Sequence, residues 1–243
     1  MRKWKVLLLA LLLGIQTLAN AGLSESITAF NAKDYATALR EYLPLANQGN
    51  AQAQTNLGFM YANGQGVPKD EAQAVAWYRK AAEQGNATAQ TNLGNMYDGG
   101  RGVPKDEAQA VAWHRKAAEQ GDADAQTNLG VMYDNGRGVP KDAAQAVAWY
   151  RKAAEQGDAN AQNGLGVMYE AGRGVPKDVV LAYMLCNIAA ANGNEKAINN
   201  RASLEGTLSR QQITEAQALA SAWKPGTPFP TTSRTGKLVN PYR

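Results

Sequence analysis

Small and apolar positions along the chain follow a helical period that is interrupted and restarted at fixed intervals of 36 residues. In the first half of one interval, Ala53, Gln54, Leu57, Gly58 and Tyr61 fall on one face at about 100° per residue, which predicts an amphipathic helix. Gly64 and Gly66 then supply a helix C-cap and a turn, and Pro68 prevents the helix from continuing. Asp70 is a good N-cap, with Gln73 three residues on in a capping-box-like arrangement. The helix it starts is predicted to bury Ala74, Trp77, Tyr78 and Ala81 and to show Arg79, Lys80 and Glu83 to solvent. Gly58, Gly94, Gly130 and Gly166 recur on the buried face. A mid-helix glycine costs roughly 1 kcal/mol against alanine, so its recurrence predicts a close helix–helix approach.

The intervals are true repeats. Gly49–Gly58 returns as Gly85–Gly94, Gly121–Gly130 and, loosely, Gly157–Gly166. Gly66-Val67-Pro68-Lys69-Asp70 returns at 102–106, 138–142 and 174–178. Four units follow, at 49–84, 85–120, 121–156 and 157–192. A helix pair this small cannot bury its apolar face alone, so the units must stack. The expected fold is all-α, a right-handed α-α superhelix of 36-residue helix-turn-helix repeats. Residues 22–48 carry a divergent second helix and its partner, an N-terminal capping repeat. In the fourth unit the outward positions become apolar (Met184, Ile188, Ala191), so something must cover them. Residues 193–224 are the expected C-terminal cap, with helices at 196–204 and from about Arg210 to Trp223, the latter capped by Ser209 and Gln212. Residues 225–243 are rich in Pro, Gly, Thr and Ser and read as a mostly disordered tail with no core residues.

The two ends also carry the charge. Of the formal +4, residues 1–21 contribute +3 and residues 193–243 contribute +4, leaving the body at −3. A nucleic-acid binder needs its basic patch on the folded body, so that partner class is set aside. Residues 1–21 have a basic start, an apolar run from Val6 to Ile15, and small residues at Ala19 and Ala21. This is a secretory signal pattern, with an apolar core too short for a permanent membrane helix. The expected mature chain starts at Gly22, is periplasmic or secreted, and has no stable membrane insertion.

Candidate chemistry is sparse. Cys186 is the sole cysteine, which excludes an intramolecular disulfide and a thiolate zinc site. His114 is the sole histidine and stands where other units have Tyr78 and Tyr150, so it reads as a core or groove-edge side chain. Cys186 stands at the same position and reads as a buried thiol. Ser221-Ala222-Trp223-Lys224 matches the Ser-x-x-Lys of penicillin-recognising enzymes, but no Ser-Asp-Asn or Lys-Thr-Gly accompanies it. The Gly-x-Gly loops lack a phosphate loop's context, and Trp77, Trp113 and Trp149 read as solenoid core. No catalytic, cofactor-binding or metal-binding residue is assigned.

A binding surface remains. Opposite the buried face of the first helices lie Gln52, Asn56, Phe59 and Asn63, then Asn92 and Asn95, then Asn128 and Val131. Asn56, Asn92 and Asn128 form a ladder of amides able to hold an extended peptide, and Phe59 is a candidate anchor. Asp98 and Asp134 add an acidic margin that favours a basic ligand.

The recurring Ala-x-Ala-x-x-x-Leu-Gly-x-x-Tyr, Gly-x-Gly-Val-Pro-x-Asp and Ala-x-x-Trp-Tyr-x-Lys-Ala-Ala-x-x-Gly resemble the Sel-one-like repeat family, relatives of the tetratricopeptide repeats. The resemblance implies a non-catalytic adaptor whose concave face binds a protein or peptide, exported in bacteria. A cysteine-rich branch is associated with penicillin binding or hydrolysis, but its repeat cysteines are missing here. Two classes therefore stand: a protein-binding scaffold, or an envelope enzyme or binder acting on β-lactam or peptidoglycan fragments.

Overall fold

The structure is a computed structural model that describes residues 22–233. The targeting segment read at 1–21 and the last part of the tail, 234–243, lie outside the described residues. Every regular element described is helical: α1 (22–31), α2 (Tyr35–Asn47), α3 (Ala51–Asn63), α4 (Glu71–Glu83), α5 (Ala87–Gly99), α6 (Glu107–Glu119), α7 (Ala123–Asn135), α8 (Ala143–Glu155), α9 (Ala159–Ala171), α10 (Val179–Ala191), α11 (Glu195–Glu205) and α12 (Arg210–Ala222). The chain divides into two compact units, one ending at Asp106 and the other starting at Glu107.

In the first unit helices pack in chain order, α2 on α3, α3 on α4 and α4 on α5. The helix starts follow the expected caps: Asp70 Oδ1 accepts the Gln73 N–H at 2.9 Å. Asn50 and Asn86 do the same for α3 and α5. Each such cap contributes about 1 kcal/mol. Gly64 ends α3 in the left-handed region at φ 68°. Gly58 meets its expectation of close approach, because a Cβ there would stand 2.7 Å from the Tyr78 ring.

The second unit repeats this order from α6 to α10, and α11 and α12 then both pack on α10. Gly130 lies under the Tyr150 ring as Gly58 lies under Tyr78. The turn glycine Gly138, at φ 66°, abuts the start of the preceding second helix: a Cβ would come 2.2 Å from the Glu107 carbonyl oxygen. In α10 all residues from Val180 to Cys186 are buried, as are Ile188 and Ala189. Helices α11 and α12 lie against this apolar helix, and α12 opens with the full Ser209–Gln212 capping box.

Three expectations need correction. Met60, Met96, Met132 and Met168 are fully buried core residues, whereas Tyr61 is only half-buried. Trp77, Trp113 and Trp149 are half-buried, not core, and a lysine ammonium three residues on covers each ring at 4.1 to 4.2 Å from its centroid. A tryptophan is too large for the alanine-lined seam between these helices and moves to its rim.

The third correction concerns residues 225–233, which lie against the second unit. Phe229 is 4% exposed and stacks on Trp223 with centroids 4.6 Å apart. Its N–H donates to the Glu155 carboxylate at 3.1 Å, and its carbonyl accepts from Arg151 at 3.3 Å. The Gly226 N–H donates to the Glu155 carbonyl at 2.6 Å. The Ser233 N–H and hydroxyl both reach the Asp178 carboxylate at 2.7 Å. Composition alone hid this, because one aromatic between two prolines carries the burial.

Truncation after Lys224 is expected to destabilise the chain by roughly 1.5–3 kcal/mol, the burial of one phenylalanine, while truncation after Ser233 leaves the melting temperature unchanged. Equal melting of both truncations would refute the packing of this segment. Gly138→Ala is expected to lower the urea midpoint more than Gly121→Ala. Both glycines have positive φ, but only at Gly138 does the new methyl group collide with backbone, whereas at Gly121 nothing lies within 4 Å.

Candidate functional site

On the first unit, α3 presents Gln52, Phe59 and Asn63, all exposed. Gln52 donates to Asn56 Oδ1 at 3.1 Å. Asn56 is half-buried and also hydrogen-bonds the Tyr42 hydroxyl, as does Ser26. Burial raises the Tyr42 pKa, and these two hydrogen bonds partly offset the rise. Asn56 thus belongs to the joint between the capping pair and the first repeat, not to an open ladder. Asn63 donates to the Phe59 carbonyl at 2.9 Å, one turn back on its own helix.

Phe59 is the exposed aromatic of the face, 41% accessible. Its ring stands edge-on to Phe30 at 5.9 Å, and Phe30 in turn lies 5.5 Å from Tyr35 and 6.5 Å from Tyr42. The anchor is therefore the rim of a four-ring cluster held by the N-terminal capping pair. Phe30 escaped the sequence reading, although two of the chain's 3 phenylalanines meet here. Asn92, Asn95 and Asp98 on α5 are each half-buried.

On the second unit, Asn128 and Val131 of α7 are half-buried, and Val131 packs against the core cluster. Asp134 accepts from Arg173 at 2.6 Å, so its charge is matched by the next repeat. Carboxylates also gather at the helix starts. Burial raises the Asp124 pKa, and Asp122 and Asp158 nearby raise it further. Asp122 and Asp158 are the N-caps of α7 and α9, a role given in sequence by their place two residues after Gln120 and Gln156.

The opposite helices are less passive than expected. Arg79, read as purely solvent-facing, donates to the Tyr97 hydroxyl of the next repeat at 2.7 Å, and Arg115 does the same to Tyr133. Arg151 is likewise hydrogen-bonded to the Tyr169 hydroxyl. Buried glutamines make a second set of joints, with Gln126 donating to the Ala118 carbonyl and accepting from Gln156.

His114 and Cys186 are packing residues. His114 is buried on α6. Cys186 is a buried free thiol whose pKa burial pushes up to about 12, with Glu170 adding to the rise. A thiol so far from ionisation is a poor nucleophile at neutral pH. Ser221 borders an open recess of about 320 Å³ between α10 and α12, but its hydroxyl donates to the Gln217 carbonyl at 2.8 Å. Lys224 lies beyond the end of α12. Among the described residues no cluster of His, Cys, Asp or Glu could hold a metal ion, and no helix is long and apolar enough to cross a membrane.

Comparison with known proteins completes the picture. No curated protein matches the chain in sequence. A protective antigen of uropathogenic Escherichia coli with an SLR fold is 37% identical at a TM-score of 0.74, over 84% of this chain and 45% of that one. The chain thus spans less than half of that relative. A Sel1 repeat protein from Oxalobacter formigenes is 41% identical at a TM-score of 0.68, over 72% of this chain and 71% of that one. A Klebsiella pneumoniae sel1 repeat protein, 22% identical at a TM-score of 0.52 over 77% of this chain and 93% of that one, shares the fold alone. The Sel1 repeat model matches residues 51–86, 87–122, 123–158 and 159–194, in the same 36-residue register as the helix pairs. The chain belongs to the Sel1 repeat family, with the all-α superhelical fold of that class.

Proposed function

We propose that this chain is a non-catalytic, exported scaffold that binds a protein or peptide on its first-helix face, read as the concave one. Sel1 repeats generally mediate protein interactions, which supports the class. The observation that carries the location is Phe59: a large aromatic left 41% exposed, held edge-on by Phe30 and flanked by exposed Gln52 and Asn63. An aromatic fixed in this way loses little conformational freedom on binding, which is what an interface anchor requires. Half-buried Asn92 and Asn95 on α5 and Asn128 and Val131 on α7 are the adjoining candidates on their own units. Export is supported by the basic, apolar and small-residue order of residues 1–21. It is also supported by a relative described as a protective antigen, a type of protein that a host encounters.

Phe59→Ala is expected to weaken partner binding by on the order of 2 kcal/mol, about thirtyfold, in calorimetric titration with a partner captured from the envelope. A thermal melt of the same variant separates this loss from loosening of the Phe30 cluster. Unchanged affinity would move the binding face elsewhere. For export, mass measurement of the envelope-fraction protein is expected to give a new N-terminus at Gly22, and a full-length chain there would overturn the reading.

A further inference from the structure

Residues 223–233 are held as a bound peptide would be. The segment organises itself first: the Trp223 indole N–H donates to the Thr227 carbonyl at 2.9 Å, and the ring stacks on Phe229. Pro228 and Pro230 fix φ on either side of Phe229 and favour an extended backbone. Helix α8 then reads both polar backbone atoms of one residue, Glu155 taking the Phe229 N–H and Arg151 its carbonyl. At the far end, Asp178 caps α10 through Oδ1 and also holds the Ser233 N–H and hydroxyl. The segment runs from the C-terminal end of α8 to the N-terminal end of α10.

The same three reading groups stand 36 residues earlier as Arg115, Glu119 and Asp142, all exposed. Their settings match. Arg115 is braced by the Tyr133 hydroxyl as Arg151 is by Tyr169. Asp142 Oδ1 caps α8 through the N–H groups of Ala144 and Gln145, just as Asp178 caps α10 through Val180 and Leu181. Between them Ala144 and Ala148 are exposed, where their counterparts Val180 and Met184 are buried.

We propose that the surface between α6 and α8 is a second docking site, which takes an extended, proline-flanked segment bearing a Trp–Phe pair from a partner protein. It lies on the second helices and is independent of the first-helix face. The partner's chemistry is that of Trp223–Ser233, because the stacked aromatics and the turn that joins them belong to the segment itself. The docking helices contribute only the backbone clamp, the hydroxyl-binding carboxylate and an alanine floor.

The test is fluorescence anisotropy of a dye-labelled synthetic peptide of residues 222–233 titrated with the full-length protein. Saturable binding is expected, with affinity lowered at least about fivefold in Glu119→Gln and in Asp142→Asn. Both variants keep the fold, since Gln preserves the exposed shape and Asn caps a helix as well as Asp. A peptide with Ala in place of Phe229 is expected to lose saturable binding. No binding up to about 1 mM peptide would overturn the proposal. Binding that ignores Glu119→Gln but falls in Glu155→Gln would also overturn it, because the probe would then be exchanging with the chain's own segment. Self-association of the protein that the peptide disperses would make the occupant a second copy and overturn the assignment to a partner.

Discussion

In the first and third repeats the tyrosine of the second helix lies directly on a glycine of the first: a Cβ at Gly58 would stand 2.7 Å from Tyr78, and one at Gly130 would stand 2.7 Å from Tyr150. Backbones can approach this closely only where the methyl group is missing, and the ring then fills the space between them. The fourth repeat keeps the glycine but replaces the ring by Cys186: a Cβ at Gly166 would stand 3.0 Å from its sulfur and 3.2 Å from the Ala182 carbonyl oxygen. Buried alanines such as Ala53, Ala74 and Ala81 suit the same close separation, and Leu57, Met60 and Val75 fill the remaining core. The tryptophans sit at the rim for this reason, and lysine alkyl chains and ammonium groups cover what the seam cannot.

A stack with so thin an apolar seam relies on polar joints from one repeat to the next. The glycine loop closes with its carbonyl-facing edge on the preceding helix start, at Gly102 on Glu71, at Gly138 on Glu107 and at Gly174 on Ala143. Arginine–tyrosine and glutamine–carbonyl bonds join the same neighbours. These joints use polar residues that a surface reading would assign to ligands. Asn56 and Asp134 are the clearest cases, one held by Tyr42 and Gln52 and the other by Arg173. Phe59 on one unit stays exposed, and on the other the arginine–glutamate–aspartate set that the last repeat uses on its own chain recurs one repeat earlier as exposed Arg115, Glu119 and Asp142.

The ends show the same economy of elements. At the start, α1 and α2 supply Phe30, Tyr35 and Tyr42 to close the first repeat and to brace Phe59. At the other end α10 is apolar all round, α11 and α12 cover it, and the segment beyond α12 continues over α8. Burial and the nearby Asp178 carboxylate push the Glu215 pKa of α12 up. Capping and ligand-like docking are thus adjacent uses of the same outer helices.

Repetition made most of the fold legible. Four copies of a glycine, a Gly-Val-Pro-x-Asp turn and an alanine-rich helix leave one way to place caps, turns and buried faces, and the close approach at Gly58 followed from its cost alone. The C-terminal cap was readable because Met184 and Ile188 break the pattern that the other repeats share. The site was less legible, because facing outward on a helix says nothing of what a neighbouring element brings. Asn56 meets Tyr42 and Phe59 meets Phe30 across 14 and 29 positions of chain, and no local period carries that information. The segment at 225–233 is the sharpest case: its composition reads as disorder, yet Phe229 is buried because Arg151, Glu155 and Trp223 converge on it from distant positions. Periodicity determines which residues share a face, but only tertiary packing decides which of those faces remain open.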